Sequence, residues 1–299
     1  MERSAKEESP LRNLLITVSL NVTITIVELV GGLFSHSLAL ISDSFHNLSD
    51  TMAGVLAFYT YRLSLKSSNY RFTFGYKRAE MLSAIFNASL LIGLAVVLFK
   101  EAIVRFYHPQ IVKGSIMLPV AIVGLVANSI SVLLLHRHSE HNLNVRSVYL
   151  HLASDALSSL GVVLGAVLIY FYKLYWLDPV FTILIASFMT YESVKVIIET
   201  VNILMECSPS WVNVSDLQKD IESMPKVNDV HHMHVWRLSD RLTLFEAHVN
   251  IKDMPVSETK EVRSRIEKLL KEKYKIDHAT IQFEYGEHRG DGLIKEHLR

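Results

Sequence analysis

The sequence predicts an α-helical membrane protein, six transmembrane helices followed by a small α+β domain, and three observations carry that expectation. Charge divides the chain: the 93 residues from Cys207 onward hold 15 basic and 16 acidic side chains, whereas the first 206 residues hold only 29 charges. Half of the 299 residues are apolar, and in the first part they gather into stretches that reach the about 20 residues of helix a bilayer needs. The last third alternates and caps like a soluble fold. A single soluble globule and a disordered chain are both excluded by this partition. With 30 Lys+Arg against 30 Asp+Glu, nothing recommends a nucleic-acid partner. One cysteine, Cys207, excludes a disulfide framework and a Cys-rich zinc module, so the soluble part needs no oxidising compartment.

The expected spans are residues 14–34, 38–58, 79–99, 115–135, 148–169 and 180–201. Residues 1–10 have three Glu and two basic residues and lack the pattern of a cleaved signal peptide, so the first stretch is kept as a true span. Only residues 35–37 join it to the second, which implies a tight hairpin. Orientation follows from the Lys and Arg of the links. Ten lie on one side (Arg3, Lys6, Arg12, Arg62, Lys66, Arg71, Lys77, Arg78, Arg137 and Arg146) and four on the other (Lys100, Arg105, Lys113 and Lys173). Both termini, and the soluble domain with them, are therefore expected in the cytoplasm.

An ionisable group in hydrocarbon is costly and persists mainly where it lines a site or a path. The second span holds Asp43, His46 and Asp50, and the fifth holds His151 and Asp155. His46 to Asp50 and His151 to Asp155 are both i, i+4, which sets imidazole and carboxylate on one helix face, about 6 Å apart at Cβ. One such pair is a weak signal; the same pair in two spans is a strong one. If the two spans pack together, two imidazoles and two carboxylates converge, and their charge cancels that of a divalent cation. A donor set of two nitrogens and two oxygens without Cys suits Zn²⁺ before softer ions. Small neighbours, Ser42, Ser49, Ala53 and Gly54 on one helix and Ala153, Ser154, Ser158 and Gly161 on the other, permit the close approach. The plainer reading makes each pair a hydrogen-bonded strut, but struts between membrane helices usually use Ser, Asn or Gln. Asp43 shares the stripe, where an access role and a hydrogen-bonded structural role both remain open. Glu28, Asn87, Asn128, Glu192 and Lys195 are further polar groups in the spans, and Glu192 with Lys195, at i, i+3, reads as an ion pair.

The tail reads as helix 212–222, strands 227–238 and 242–251 about a Ser239-Asp240 turn, helix 258–274 after Pro255, and strand 279–285. That αββαβ order is an open-faced, ferredoxin-like sandwich.

Residues 35–50, which run SHSLALISDSFHNLSD, and 151–161, HLASDALSSLG, resemble the two signature segments of the cation diffusion facilitator family. The linker 72–80, FTFGYKRAE, and the tail segments 231–236, HHMHVW, and 280–284, TIQFE, are similar to it too, so the likeness runs from about residue 11 to residue 285. The resemblance implies a homodimeric exporter, embedded in lipid, that moves Zn²⁺ or a similar ion (Cd, Co, Fe or Mn) out of the cytosol in exchange for protons by alternating access. It implies that His46, Asp50, His151 and Asp155 form the transport site. It implies three regions: a tail at 1–10, a six-helix transport domain at 11–206, and a cytoplasmic domain at 207–299 that dimerises and binds metal, with His231, His248 and Glu284 at the positions that match its ligands. His278, His232 and His234 are extra candidate ligands. The host is expected to be the cell (inner) membrane. Residues 67–76 contain neither Asp nor His, so no linker site is expected, and Arg78 or Lys77 is expected to pair with Glu206 and help to hold the dimer. The cluster His136, His138, Glu140 and His141 at the cytoplasmic mouth reads either as a solvated loop or as a place that captures metal, since longer His-rich loops stand here in many members of the family that the chain resembles.

Two classes other than an exporter fit the residues less well. An intramembrane metalloenzyme needs a His-Glu-x-x-His helix and an open coordination position, and the chain has no such motif. A membrane-anchored metal sensor has no need of ionisable residues inside two spans.

Overall fold

The computed structural model describes residues 2–139 and 143–286, with the side chains of 18–134, 149–150 and 152–286. They divide into two compact units, Met1–Tyr59 with Ser83–Ile197 and Thr60–Leu82 with Ile198–Arg299.

The first unit is built on six long helices: α1 (Glu2–Ser35), α2 (Leu38–Ser64), α3 (Ala79–Tyr107), α4 (Gly114–Ser139), α5 (Leu143–Tyr172) and α6 (Leu177–Leu204). Helix is the form that lets an apolar segment satisfy its own backbone in hydrocarbon, and Pro119, a breaker inside α4, falls in that helix's second turn. Between α1 and α2 the chain reverses through two residues, His36 and Ser37. His36 takes a left-handed φ of 60°, Ser37 N–H donates to Gly32 O at 3.0 Å, and Lys113 N–H donates to Ser35 O at 2.9 Å.

Five helices contain segments long and apolar enough to cross a membrane: Val18–Ser35, Ala79–Tyr107, Gly114–Leu134, Leu152–Tyr172 and Leu177–Leu204. The exception is α2, which has the length, 27 residues, but too many polar side chains. Their placement explains this. Ser42, Asp43, Ser44, His46, Asn47 and Ser49 are buried, while Leu48, Met52, Val55, Phe58 and Tyr59 are exposed. An apolar outside and a polar inside is the reverse of a helix on a water-soluble protein, and it suits a helix whose inner face lines a site. Helix α4 packs on α5 and on α1. The second of these contacts is close because Gly31 is bare: a Cβ there would lie 2.6 Å from Val120 Cγ2. At the end where α1 turns into α2, the apolar core joins Leu40, Met117, Val162, Ala166, Ile169, Ile185 and Met189.

In the second unit the order is α7 (Val214–Glu222), β1 (Val227–Ser239), β2 (Leu242–Ile251), α8 (Val256–Lys273) and β3 (His278–Glu284). The sheet order is β1-β2-β3, with β1 and β2 antiparallel and β2 and β3 parallel. This is the expected αββαβ arrangement. Helix α7 begins where the Asn213 side chain accepts from the N–H groups of Ser215 and Asp216, slightly later than the apolar pattern alone implied. Leu217 and Ile221 of α7 and Val262, Ile266 and Leu270 of α8 press on Val230, Met233, Phe245, Ala247 and Val249 of the sheet. Each of these side chains larger than alanine stabilises the fold by roughly 1.5–3 kcal/mol when fully buried. The ends of α2, α3 and α6 belong to this unit as well. There Arg78 Nη2 meets Glu206 Oε1 at 2.5 Å, the pairing expected of Arg78, formed within one chain. Nearby, Arg241 lies over the Tyr61 ring at 5.3 Å.

Candidate metal centre

On α2, Asp43, His46, Asn47 and Asp50 follow one another at i, i+3, i+4 and i+7, so a single face carries all four. Helix α5 brings Asp155 to this face. His46 Nε2 lies 3.4 Å from Asp155 Oδ1 and 3.7 Å from Asp50 Oδ2. One donor atom from each of the three residues falls within 4.8 Å of the other two. His46 and Asp155 are 7% and 5% exposed, and Asp50 is half-buried. Zinc bonds of about 2.0–2.2 Å in tetrahedral geometry separate neighbouring donor atoms by roughly 3.3–3.6 Å. The His46–Asp155 spacing falls in that range, and it exceeds the usual N–H···O distance. His151 stands one turn before Asp155 on α5; its side chain lies outside the described residues, as do those of His136, His138, Glu140 and His141.

Support for these donors comes from α6. The Phe188 ring meets the His46 imidazole edge-on, with centroids 6.1 Å apart. Further along, Asp178 is fully buried and caps the first turn of α2 from a different helix. Its Oδ1 accepts from the Ser37 hydroxyl at 2.6 Å and from Ala39 N–H at 3.2 Å, and its Oδ2 accepts from Leu38 N–H at 2.8 Å. A carboxylate at a helix N-terminus satisfies orphan donors and meets the positive end of the helix dipole. Asp43 is buried but outside the three-residue cluster. The Ser159 hydroxyl donates to its Oδ2 at 3.5 Å and in turn accepts from Asn128 Nδ2 at 2.9 Å. Asn87 bonds with Ser49. Glu192 makes no ion pair with Lys195 among the described residues: Lys195 is exposed on α6, while Glu192 is half-buried.

A second cluster sits on the sheet of the other unit. Cross-strand register places His231 of β1 opposite His248 of β2, while Glu284 at the end of β3 is registered with Asn250. Glu284 reaches both imidazoles: His231 Nε2 is 3.2 Å from Oε2, and His248 Nδ1 is 2.8 Å from Oε1. These three residues form a group able to hold a metal ion. A register shift between His231 and His234, with His232 at φ 50°, breaks the alternation of β1. The bulge turns the His232 ring to within 4.5 Å of His248 and 5.2 Å of His234, centroid to centroid. His278 is not brought in. It is exposed and opens β3 beside Leu244, six residues and so roughly 20 Å of strand from Glu284.

The supporting groups were not legible from the chain. Asp229 Oδ1 lies 3.0 Å from His231 Nδ1, the kind of partner that fixes a ligating imidazole's tautomer and ring plane. It stands two positions before His231 in the sequence, and that proximity is the only local signal. Asp178 and Phe188 act from a different helix, and nothing local announces them.

Residues 14–205 match the family model for the cation efflux transmembrane domain, and residues 209–285 match that for the cytoplasmic domain of cation efflux proteins. The chain belongs to the cation efflux family. It is therefore an integral membrane protein and a metal cation efflux transporter, not an enzyme, as the signature segments implied. Among its cation efflux relatives is a cadmium, cobalt and zinc/H(+)-K(+) antiporter of Bacillus subtilis (strain 168), 36% identical over 94% of this chain and 91% of the relative. The zinc transporter ZitB of Pectobacterium atrosepticum is 37% identical over 94% of this chain and 88% of the relative. A solved structure, the metal-bound C-terminal domain of the CzcD transporter from Cuprividus metallidurans, is 33% identical, covering 24% of this chain and 99% of that one with a TM-score of 0.23.

Proposed function

We propose that this chain exports Zn²⁺ from the cytoplasm in exchange for protons, by alternating access at a site made by His46, Asp50, His151 and Asp155. The observation that carries this reading is the convergence of His46, Asp50 and Asp155 inside the bundle, with donor atoms within 4.8 Å of one another and His46 and Asp155 at the 3.4 Å that suits two ligands of one tetrahedral ion. His151 supplies the fourth donor, one helical turn from Asp155. Two neutral imidazoles with two carboxylates neutralise a divalent cation, and the mixed donor set favours Zn²⁺ while admitting Cd²⁺, Co²⁺, Fe²⁺ or Mn²⁺ less well. Such donors bind metal only when deprotonated, so loading releases protons and protonation empties the site. Two conformations that open to opposite sides convert this linkage into antiport. The descriptions of the relatives, as zinc transporters and as an antiporter of cadmium, cobalt and zinc against protons and potassium, support cargo and coupling alike.

In this reading residues 11–206 transport, and residues 207–299 form a cytoplasmic domain that pairs two copies of the chain and binds metal through His231, His248 and Glu284. Both termini face the cytoplasm of the cell (inner) membrane. The test is uptake into proteoliposomes of the purified protein, with a zinc-sensitive dye inside and a pH gradient imposed. Zinc accumulation that collapses with the gradient is expected. Accumulation indifferent to the gradient would remove the proton from the mechanism.

A further inference from the structure

We propose that Glu28 of α1 is a proton-binding carboxyl, separate from the metal ligands, whose proton leaves when the cation binds and returns when it departs. This rests on the proton-antiport reading above and names where one of the exchanged protons resides.

The site is built from three helices. Glu28 is 1% exposed in the interior of the bundle. From α2, Asn47 Nδ2 donates to Glu28 Oε2 at 2.8 Å. From α4, Gly124 leaves the space that the carboxyl fills, since a Cβ at that position would overlap Glu28 Oε1. The titratable groups that face Glu28 are Asp43 and His46, both on α2. Helix α4 has no charged residue from Gly114 to Leu134, and α1 has none other than Glu28 from Val18 to Ser35. A metal cation held by hard donors collects about six or more oxygens. Here the nearest polar neighbour instead presents an N–H, so the ligand that fits is a proton.

Asn47, the donor to Glu28, directly follows His46 in α2, so charge on this carboxyl acts on the same small volume as the transported ion. With that volume empty of metal, a carboxyl sealed in the bundle has Asn47 as its donor and no Lys or Arg on α1 from Val18 to Ser35 or on α4 from Gly114 to Leu134 to balance its charge, so a proton is the partner that fits. When M²⁺ arrives, its field favours the carboxylate. The exchange balances as Glu28–COOH plus M²⁺ giving Glu28–COO⁻, bound M²⁺ and one H⁺ released to the open side. When the ion leaves on the other side, the carboxylate takes up one H⁺ from there. By reciprocity, the ionised carboxyl tightens the hold on the cation.

The experiment measures the half-saturating Zn²⁺ concentration for uptake by proteoliposomes across the neutral pH range, for the wild type, Glu28→Gln and Glu28→Asp. Glu28→Gln keeps the shape and can still accept from Asn47, but carries no exchangeable proton. Its plot of log half-saturation against pH is expected to be shallower than wild type by about one unit, with the two converging in acid; Glu28→Asp should restore the slope. Parallel lines for wild type and Glu28→Gln would overturn the proposal. The wild type alone provides a second reading by infrared difference spectroscopy. Adding Zn²⁺ should remove a C=O band of a protonated carboxyl, a change absent from Glu28→Gln, and a band that persists in the wild type would also overturn it. Uptake is driven by a pH gradient at equal K⁺ on both sides, then by a K⁺ gradient at equal pH. A wild type that ignores the pH gradient refutes antiport against protons itself, whereas a Glu28→Gln variant that responds to it like wild type refutes only the role of Glu28.

Discussion

His46 of α2 and Asp155 of α5 approach each other across the bundle, Nε2 to Oδ1 at 3.4 Å, while Asp50 comes to 3.7 Å of the same nitrogen. One imidazole nitrogen thus stands between carboxylates from two helices. In the proposed mechanism a divalent ion takes the place among these atoms, and both carboxylates are needed to neutralise it.

Asp50→Ala and Asp155→Ala are each expected to abolish zinc uptake while leaving a folded protein. Each variant removes a charged donor, and the loss should exceed the roughly 10–100-fold seen when a residue that merely supports a ligand is changed. Uptake near the wild-type rate in either variant, measured in proteoliposomes at matched protein density, would sink the assignment of these two carboxylates.

Selectivity provides a separate check on His46. The proposed set has two nitrogens and two oxygens; His46→Asp would make it one nitrogen and three oxygens with an additional negative charge. Oxygen-rich sites discriminate less against harder or larger ions. The variant is expected to retain zinc export while gaining Cd²⁺ or Mn²⁺ transport relative to wild type. A competition assay with an unchanged order of preference would mean that His46 does not face the ion.

In the tail, His231, His248 and Glu284 lie across three strands of one sheet, far from anything that carries an ion through a membrane in sequence terms. Their proposed role is to tune the pairing of two cytoplasmic domains. His248→Ala should lower the thermal stabilisation that zinc gives to the isolated domain from about Ser208 while leaving part of the transport intact. A ligand at one hundred times its dissociation constant stabilises by about 2.7 kcal/mol, well within reach of a melting curve. No zinc-dependent shift in the wild-type domain would show that the site is absent.

Legibility followed the range of the interactions. Strands β1 and β2 were readable because alternation is local, and the repeated His-x-x-x-Asp spacing announced α2 and α5 as partners without any knowledge of packing. The polar inner face of α2, visible in the sequence as Asp43, His46 and Asp50 within one apolar stretch, also explains why that helix is not among the segments apolar enough to cross a membrane. Other features depend on tertiary placement. Asp178, in the first turn of α6, finds its partners at Ser37, Leu38 and Ala39, a relationship with no local signature. His278 looked like a ligand because it is close in sequence to Glu284, but the two occupy opposite ends of β3. Glu192 and Lys195 have the spacing of an ion pair without forming one.

Acid stability of the cytoplasmic domain should depend on Asp220. Lys273 and the Tyr274 hydroxyl both donate to its Oδ2 and hold its carboxyl below the ordinary carboxylate range, Lys273 being the larger cause. A depressed folded-state pKa contributes stability that is present above the unfolded value and is lost as pH falls through the folded value. Asp220→Asn should therefore melt below wild type at neutral pH, with the two curves converging in acid. Melting followed through Trp211, whose indole N–H donates to Tyr274 O at 3.2 Å, reports on this corner of the domain. A gap that stays constant as pH falls would show that the charge of Asp220 contributes nothing.

Asp178→Asn tests whether α6 fixes the helix that bears His46 and Asp50. The carboxylate accepts three donors on two oxygens, whereas an amide offers one oxygen and sets an NH₂ group against either Leu38 N–H or the pair Ser37 and Ala39. Leaving a buried donor unsatisfied costs roughly 1–3 kcal/mol, so the melting temperature should fall. The consequence for transport follows from the lever: His46 lies eight residues from Leu38, about 12 Å along the helix, and its ring rests on Phe188 of the same α6. A frayed first turn would let α2 shift against α6 and spread the donor atoms, so the half-saturating zinc concentration should rise more than the maximal rate falls. Ser37→Ala, which removes one donor and leaves both backbone contacts, should show the same pattern in weaker form. Loss of stability with unchanged half-saturation in both variants would mean that the cap holds the fold together without positioning the metal site.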